Sequence, residues 1–375
     1  MIKITDMSKC SACHACAVAC PKGCINMVAN GDGFLYPSVD TDLCVDCGVC
    51  NKACYLENSP AKKKAQRVLA VAALDDGVRE TSSSGGVFYT LAKDVIGRGG
   101  VVFGAAFDEQ FNVVHRSVSK VEDICCLQGS KYVQSTIGDC YKQVRDLLKS
   151  DVEVLFTGTP CQVSGLLTYL KGNHPKLVTM DFICHGVPSP MVWRKYLDEM
   201  IERYASPVNN VSFRSKDNGW KTFSMKIEFE NGITYISKVN EDPFLRSFIM
   251  DIHLRNSCSS CKAKGCDRPA DITVADFWGI GKICEDMNDD RGTSVVILRG
   301  EKASNCFSRV EDSFKMLESD IDTVKRLNYS IEKSVPVNKL RAKFLKTVDK
   351  RGFYKAYDKY CGMSLIAKLH RKFGV

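Results

Sequence analysis

Eight cysteines within the first 54 residues form two groups of four with nearly the same spacing. The first group reads "CSACHACAVACP" and the second reads "CVDCGVCNKAC". The eight residues are Cys10, Cys13, Cys16, Cys20, Cys44, Cys47, Cys50 and Cys54. In a C-x2-C-x2-C-x3-C run, three thiolates on one tight loop can reach three irons of a cubane, and the fourth ligates the neighbouring cluster. The spacing therefore predicts two [4Fe–4S] clusters.

The predicted ligation is crossed between the two groups, as in two-cluster bacterial ferredoxins. The first cluster would be held by Cys10, Cys13, Cys16 and Cys54, and the second by Cys44, Cys47, Cys50 and Cys20. Between the groups, "INMVANGDGFLYPSV" predicts two short strands around a Gly-Asp-Gly turn. Structural zinc is the alternative, but zinc needs four ligands per site and gains nothing from a third C-x2-C step. We therefore expect an α+β ferredoxin module over residues 1–57, with Cys24 as an extra thiol in its small core.

The cysteine content also bears on the cellular compartment. The chain has 20 cysteines among 375 residues, and its first ten residues hold no apolar stretch of the kind that marks a signal peptide. No window approaches 18 uncharged apolar residues, so no membrane span is predicted. In a cytoplasmic protein, this many cysteines indicate metal binding rather than disulfides. With 45% hydrophobic residues, the chain can also build a sizeable core, which argues against disorder.

Further thiols and glycines occur where predicted strands end or helices begin. "FTGTPCQ" contains Cys161, "DFICHGVPSP" contains Cys184 and His185, and "NSCSSCKAKGC" supplies Cys258 and Cys261 with Cys266 nearby. "SSSGGV" precedes a helix, so its backbone N–H groups could approach a phosphate. Ligands of open α/β sheets lie beyond the carboxyl ends of the strands. The spacing alone leaves a zinc half-site, a redox dithiol and a cluster all possible.

The elements that would position these residues follow a polar linker, "NSPAKKKAQ", at 58–66. Strand-like and helical runs then alternate over 67–330, which predicts an α/β core. One stretch, "VSFRSKDNGWKTFSMKIEFENGITYISKV", alternates with period two around Asn-Gly turns and predicts an inserted antiparallel β-meander.

Several motifs together resemble one family. "SSSGGVFYTL", "GSKYVQS", "VLFTGTPCQVSGL", "DFICHGVPSP", "CSSCK" and "ADITVADFWGI" are similar to the β-subunit family of coenzyme F420-reducing hydrogenases and formate dehydrogenases. Relatives with a fused ferredoxin include 7-hydroxymethyl chlorophyll a reductase. The resemblance covers roughly residues 1–300 and implies a flavoprotein core with bound FAD and a third [4Fe–4S] cluster.

Site residues carry over from this resemblance one by one. The third cluster would be held by Cys161, Cys184, Cys258 and Cys261, with Cys266 as a possible substitute. The flavin would be bound by Ser84, Gly85, Gly86, Lys131, Tyr132 and Asp276. Ala275 stands where the family tends to carry glycine, which leaves the approach of Asp276 to the cofactor open. His185 is either a proton donor near the flavin or a loop histidine that bonds a backbone carbonyl.

The predicted function is an iron–sulfur flavoprotein oxidoreductase. Clusters carry single electrons and flavin carries pairs, so the two together could connect an electron carrier to hydride chemistry on an organic substrate. The substrate could be a deazaflavin such as coenzyme F420 or a pathway intermediate. The alternative is an electron-transfer subunit of a larger hydrogenase or dehydrogenase complex. An iron–sulfur redox sensor or a nucleic-acid-binding protein is the third hypothesis.

The third hypothesis comes from a basic C-terminal segment. Residues 331–375 contain twelve Lys or Arg and three Asp or Glu, whereas the net charge of the whole chain is +8. The aromatic residues of this segment recur at helical spacing, which favours packing over base stacking. We expect a helical segment near the ferredoxin module that helps a ferredoxin or another acidic electron carrier to dock. The alternative is a solvated helical face.

Overall fold

The computed structural model describes residue 2 and residues 6–362. Within these residues the strands are β1 (Ile25–Ala29), β2 (Leu35–Val39), β3 (Arg67–Ala73), β4 (Val101–Phe107), β5 (Val113–Val118), β6 (Val154–Thr157), β7 (Leu177–Phe182), β8 (Val208–Ser215), β9 (Ser224–Phe229), β10 (Thr234–Lys238), β11 (Ile272–Asp276), β12 (Ser294–Leu298) and β13 (Phe314–Ser319). The α-helices are α1 (Ala15–Ala19), α2 (Val49–Lys52), α3 (Asp76–Thr81), α4 (Val87–Gly97), α5 (Ile124–Leu127), α6 (Cys140–Lys149), α7 (Pro160–Tyr169), α8 (Pro190–Tyr204), α9 (Pro243–Ile249), α10 (Glu301–Ser308), α11 (Ile321–Leu327), α12 (Arg341–Arg351) and α13 (Phe353–Tyr360).

The N-terminal part consists of α1, α2 and an antiparallel hairpin. β1 pairs with β2 from Ile25 opposite Val39 to Ala29 opposite Leu35. The turn between them contains Gly33 at φ +79°, where a Cβ would collide with Met191 of α8. Glycine at this position therefore lets the hairpin lie directly against the rest of the protein.

The core is built on one mixed sheet in the order β13-β3-β12-β11-β7-β6-β4-β5. The central strands β4, β6, β7 and β11 are parallel neighbours, whereas β5 on one side and β12, β3 and β13 on the other pair antiparallel. β12 is buried along its whole length, as expected for a strand covered on both faces. Because β6, β7 and β11 are parallel, their carboxyl ends lie side by side at the same end of the sheet.

Two layers of helices cover this sheet. Leu91 and Val95 of α4 and Phe307 of α10 share one hydrophobic cluster with the sheet. The helices α6 and α7 pack into a second cluster, which also contains Ala15 and Val18 of α1. The N-terminal module therefore shares a hydrophobic core with α6 and α7.

A smaller antiparallel sheet in the order β10-β9-β8 stands apart from the large one. It forms a separate hydrophobic cluster with α8, α9, α12 and α13, which contains Trp193, Phe213, Phe244, Phe344 and Tyr357. The described part of the basic C-terminal segment is thus packed through its aromatic residues. Residues 363–375 lie outside the described residues.

Among residue 2 and residues 6–362, no helix has both the length and the apolar character that crossing a membrane requires. All 20 cysteines are free thiols.

Candidate metal and cofactor site

The first thiol group contains the four residues that crossed ligation predicts. Cys10, Cys13, Cys16 and Cys54 are all buried. Burial, together with the nearby Cys10 and Cys54, raises the pKa of Cys16 to about 12. Cys54 is therefore close to the first loop, although 38 positions separate it from Cys16 in sequence.

The second thiol group lies around a shared recess at the surface of the module. Cys20, Cys44, Cys47 and Cys50 line this recess together with Cys24. Cys47 is exposed, whereas Cys50 is buried. Cys24 is 2% exposed, as expected for a small core residue, but its Sγ also lies 3.4 Å from Cys20 Sγ. The recess thus contains five thiols, four of which belong to the predicted set.

The third thiol group, which we call the core thiol group, brings together Cys161, Cys184, Cys258 and Cys261 in one recess. Cys161 lies in the first turn of α7, which begins at a capping box formed by Thr159 and Gln162. Cys184 follows the end of β7, Cys258 lies within the 3-10 turn Asn256–Ser260, and Cys261 follows that turn directly. Residues far apart in sequence therefore meet where the strands end.

The fifth candidate, Cys266, does not line the recess of the core thiol group. Its Sγ lies 3.6 Å from Glu332 Oε1, and burial and this carboxylate raise its pKa. The structure thus separates Cys266 from the four predicted ligands.

Burial dominates the electrostatics of the core thiol group. It raises the pKa of Cys161 to about 11 and that of Cys258 to about 12, and it raises the pKa of Cys184 well above its ordinary value. Neighbouring thiols add to the increase at each residue. Thiolates in this environment require a positive partner, which iron would supply.

The donor set fits a cubane better than a single ion. Among residue 2 and residues 6–362, no three His, Cys, Asp or Glu side chains are arranged to hold one metal ion. A zinc site needs its ligands around one ion, whereas the four thiolates of a cubane bind four different irons and stand farther apart. Hydrogen bonds also reach the sulfurs: Thr159 Oγ1 is 3.1 Å from Cys161 Sγ, and Val187 N donates to Cys258 Sγ at 3.5 Å.

The first and core thiol groups are neighbours. Cys161 is close enough to Cys13 to help raise the pKa of that thiol, although burial is the larger cause. The approach depends on Gly165 of α7, where a Cβ would stand 2.8 Å from Cys13 Cβ and 2.9 Å from Cys13 Sγ. Arg255 Nε also donates to the backbone oxygen of Cys10 at 2.7 Å.

A cavity of about 610 Å³ lies on the other side of the core thiol group. Its walls come from the ends of β6, β7 and β11, from the loop before α4 and from the loop at 128–133. Residues 184–187, from Cys184 to Val187, line both this cavity and the recess of the core thiol group. A molecule bound in the cavity would therefore be separated from the four thiols by one stretch of backbone.

Most of the residues predicted to bind flavin line this cavity. They are Ser84, Gly86, Lys131, Tyr132 and Asp276. Gly85 is not at the wall: its N–H donates to Ser294 Oγ at 2.9 Å, and a Cβ there would collide with the backbone of β3. Gly85 thus allows the loop to pack on the sheet, whereas Gly86 begins α4 at φ +88°.

Lys131 supplies a positive charge at the cavity wall. Its Nζ donates to the backbone oxygens of Gln128 at 2.7 Å and Gly129 at 3.3 Å. Burial lowers the pKa of Lys131 to about 8. The side chain has no carboxylate partner among the described residues, so an anionic group in the cavity would stabilise its charge.

Two further cavity residues, Arg214 and Trp278, were not predicted from the sequence as site residues. Arg214 forms a two-pronged ion pair with Asp276, at 2.8 and 3.1 Å, and also donates to Tyr132 Oη at 3.3 Å. Trp278 lines the cavity as well. His185 Nε2 lies 2.6 Å from Oδ1 of Asp251, a residue with φ +59°. A side-chain carboxylate, and not a backbone carbonyl, is thus the partner of His185.

Comparison with known proteins gives two family matches. Residues 151–324 match the family described as the C terminus of the coenzyme F420 hydrogenase/dehydrogenase beta subunit. Residues 9–57 match the 4Fe-4S dicluster domain. No curated protein matches the chain at a significant level. Among solved structures, the xenon-derivatised F420-reducing [NiFe] hydrogenase complex from Methanosarcina barkeri aligns with a TM-score of 0.49 and 16% identity, over 77% of this chain and 93% of that chain.

Proposed function

We propose that the chain is an iron–sulfur flavoprotein oxidoreductase with FAD in its cavity, because residues 151–324 match the coenzyme F420 hydrogenase/dehydrogenase beta subunit family and residues 9–57 match the 4Fe-4S dicluster domain. The observation that carries the proposal is the shared wall at 184–187 between the four-thiol recess and the cavity. It provides a site for a cluster directly beside a site for an organic cofactor. Electron transfer between such neighbours needs no moving part.

We assign three [4Fe–4S] clusters to the three thiol groups, with the core thiol group holding the third. When bound, the clusters supply one-electron chemistry, and FAD exchanges electron pairs with an organic substrate. The sequence of sites runs from the exposed Cys47 through the first thiol group to the core thiol group and the cavity. Buried packing of the module on α7 holds this order fixed.

The chain's own residues would bind and orient the cofactor. Lys131 and the first N–H groups of α4 provide a positive environment for its anionic parts. Arg214 holds Asp276 and Tyr132 in place at the cavity wall. Asp251 fixes the ring orientation of His185, which we propose as the proton donor at the end nearest the core thiol group.

The test of this assignment is the cofactor content of protein purified without oxygen. Three cubanes correspond to about twelve irons per chain, and FAD should be released on denaturation in about a one-to-one ratio. Replacing Cys258 and Cys261 together by Ser should remove about four irons and leave the spectrum of the dicluster domain in place. Cys125, which is exposed and lines neither the recess of the core thiol group nor that of the second thiol group, gives the matched control Cys125→Ser.

Eight irons in the parent protein would rule out the third cluster. An unchanged iron count in the double variant would show that other residues ligate the third cluster. If the purified protein contained its iron but no flavin, it would be an iron–sulfur electron carrier without FAD.

A second candidate function is that of an electron-transfer subunit in a larger hydrogenase or dehydrogenase complex. The observation that favours it is the exposure of Leu43, Val45 and Val49 around Cys47, which forms an apolar rim at the end of the cluster series. Such a rim fits a protein surface better than solvent. Turnover of a deazaflavin such as coenzyme F420, or of a pathway intermediate, by the isolated chain with an artificial donor would favour the enzyme. Activity only in the presence of a partner would favour the subunit.

We propose a cytoplasmic location, a small-molecule substrate and a ferredoxin-like electron carrier as partner. Packing of the aromatic residues of α12 and α13 inside the protein leaves them unable to stack on bases, so nucleic-acid binding is the weakest of the three hypotheses.

A further inference from the structure

Two cationic side chains lie against the recess of the core thiol group without an acidic partner. Lys264 Nζ donates to the backbone oxygens of Cys184 and Ser330, both at 2.5 Å. Arg255, which is 1% exposed, donates to the oxygens of Cys10, Gln134 and Leu35. Both line the recess. Among residues 6–362, neither forms an ion pair with a carboxylate.

The other cations around this recess are neutralised or solvated. Arg268 lies 3.3 Å from Asp181, and Lys9 lies 3.8 Å from Asp6. Lys262 is exposed to water. The positive charges of Lys264 and Arg255 therefore remain uncompensated inside the protein.

A buried charge without a counter-charge is costly, so a partner of opposite sign is expected nearby. The thiols of the core thiol group are the anionic groups in reach: Cys184, Cys261 and Cys258 all act to raise the pKa of Lys264, although burial lowers it overall. Arg255 lowers the pKa of both Cys161 and Cys258, against the larger effect of burial. A cubane with four thiolates has a net negative charge that both cations would balance.

These charges have a redox consequence. Reduction adds one negative charge to a cluster, and a fixed cation in a water-poor site stabilises the reduced state more than the oxidised state. The first thiol group is also buried, but Arg255 contacts it through the backbone oxygen of Cys10, and Lys264 lies at the core thiol group. The two buried clusters therefore differ in nearby positive charge.

We propose that Lys264, with Arg255, raises the reduction potential of the core cluster above that of the cluster at Cys10, Cys13, Cys16 and Cys54. The inference rests on the proposed function, because it needs the third cluster. At equilibrium the reducing equivalent then resides preferentially beside the cavity. Lys264 and Arg255 are positioning residues in this role, since they act on the cluster through its surroundings.

The test is a redox titration of the purified holoprotein followed by electron paramagnetic resonance. The core signal is the one absent from the Cys258→Ser/Cys261→Ser variant. Lys264→Gln should lower the midpoint potential of that signal and leave the other two unchanged. Lys264→Arg keeps the charge and should restore the parent value. Lys262→Gln removes the same charge two positions away in solvent and should shift the core signal far less, because water screens it.

The outcomes separate this inference from the proposed function. A parent protein with eight irons would contradict the proposed function, because the third cluster would be absent. A parent with twelve irons whose core signal titrates below the signal of the cluster at Cys10, Cys13, Cys16 and Cys54 overturns the role of the cations without any variant. A Lys264→Gln protein that keeps its iron and in which the midpoint potential of the core signal is unchanged also overturns the role of the cations. A shift equal to that of Lys262→Gln would assign the effect to general surface charge and also overturn it.

Discussion

At the scale of single residues, Arg214 connects three walls of the cavity. Its guanidinium pairs with Asp276 at the end of β11, reaches Tyr132 on the loop at 128–133 and donates to Ser83 O before α4. The group is stacked 4.1 Å from the centre of the Phe223 ring. A planar, five-donor side chain is suited to this role, and lysine could not make the same contacts. The cavity shape therefore depends on one arginine of the small sheet.

Replacing Lys131 by Ala should weaken retention of FAD. The change removes the uncompensated cation at the cavity wall, and a lost charge-assisted contact of about 1.5–3 kcal/mol corresponds to about tenfold or more in dissociation constant. Flavin fluorescence on titration of the flavin-free protein measures it. Lys93→Ala, an exposed lysine of α4, serves as the control. Equal affinity in the two variants would place the anionic part of the cofactor elsewhere.

Asp242 gives the small sheet a pH-dependent stability. It caps α9 and accepts hydrogen bonds from Tyr196 and Tyr235, but burial raises its pKa to about 6 from an ordinary 3.8. Between pH 4 and 6 the folded state therefore holds a proton that the unfolded state has lost. This contribution to stability is present at low pH and is lost as pH rises through about 6.

The corresponding prediction concerns Asp242→Asn, which retains a capping side chain without a titrating group. The parent should lose roughly 1 kcal/mol from this group between about pH 5 and pH 7, and the variant should not. Thermal unfolding by circular dichroism at several pH values, without oxygen, gives the comparison. Parallel curves for the two proteins would show that Asp242 does not titrate in this range.

At the scale of elements, strands could be predicted from the sequence where a continuous apolar run marks them. Short apolar runs ending in "FTG" and "FIC" predicted β6 and β7 and placed Cys161 and Cys184 correctly at their ends. β5 and β13 have no such apolar run, because charged residues interrupt "VVHRSV" and "FKMLES", and both strands lie at the edges of the sheet. Edge strands face water on one side and so have no clear apolar run.

The missed site residues share a different cause. Arg255 and Cys10 are 245 positions apart, and Arg214 and Asp276 are 62 apart. Such contacts arise only when the whole chain has folded, and nothing in the local sequence marks a lysine or arginine that will be buried without an acid. "FRSKDNGW" lies in the stretch predicted as an inserted β-meander, but its pattern does not show that Arg214 reaches β11.

The packing of α7 on the N-terminal module leads to a third prediction. Gly165→Ala should destabilise the protein by about 1–3 kcal/mol, because the new methyl group collides with Cys13 and Tyr141. Gly97→Ala in α4 meets no atom within 4 Å and should be neutral or slightly stabilising. Thermal unfolding midpoints of both variants decide the matter. A Gly165→Ala protein as stable as Gly97→Ala would mean that the module shifts away without cost.

At the scale of the whole molecule, the basic C-terminal segment is joined to the N-terminal module. Arg341, the first residue of α12, lies 2.9 Å from Asp32 in the turn between β1 and β2. Phe344, Leu345 and Val348 are buried, whereas Lys343, Lys346 and Lys350 lie on the other side of the helix, with Lys343 and Lys346 exposed. One face of α12 therefore packs and the other presents positive charge near the module.

We expect this charge to speed the docking of an acidic electron carrier. Reduction by an acidic ferredoxin should slow as ionic strength rises past about 0.1 M, where the Debye length is about 10 Å. Lys343→Glu/Lys346→Glu should lower both the rate and its salt dependence in stopped-flow mixing. Removal of residues 363–375 tests the remaining part of the segment and leaves the buried Cys361 in place. If the parent, the double lysine variant and the truncated protein had equal rates and equal salt dependence, the charged side of α12 would be only a solvated helical face.

The contact between Arg255 and the Cys10 loop also determines how the protein responds to dilution. A separate ferredoxin must find its acceptor by diffusion, so its contribution falls with concentration. Here the module is part of the same polypeptide, and its first loop is held against the core by a buried arginine. In the proposed arrangement, the effective concentration of one cluster beside the next is therefore a property of the fold and not of the cell. Internal electron exchange is then first-order, and only the encounter with the outside carrier depends on how much of it is present.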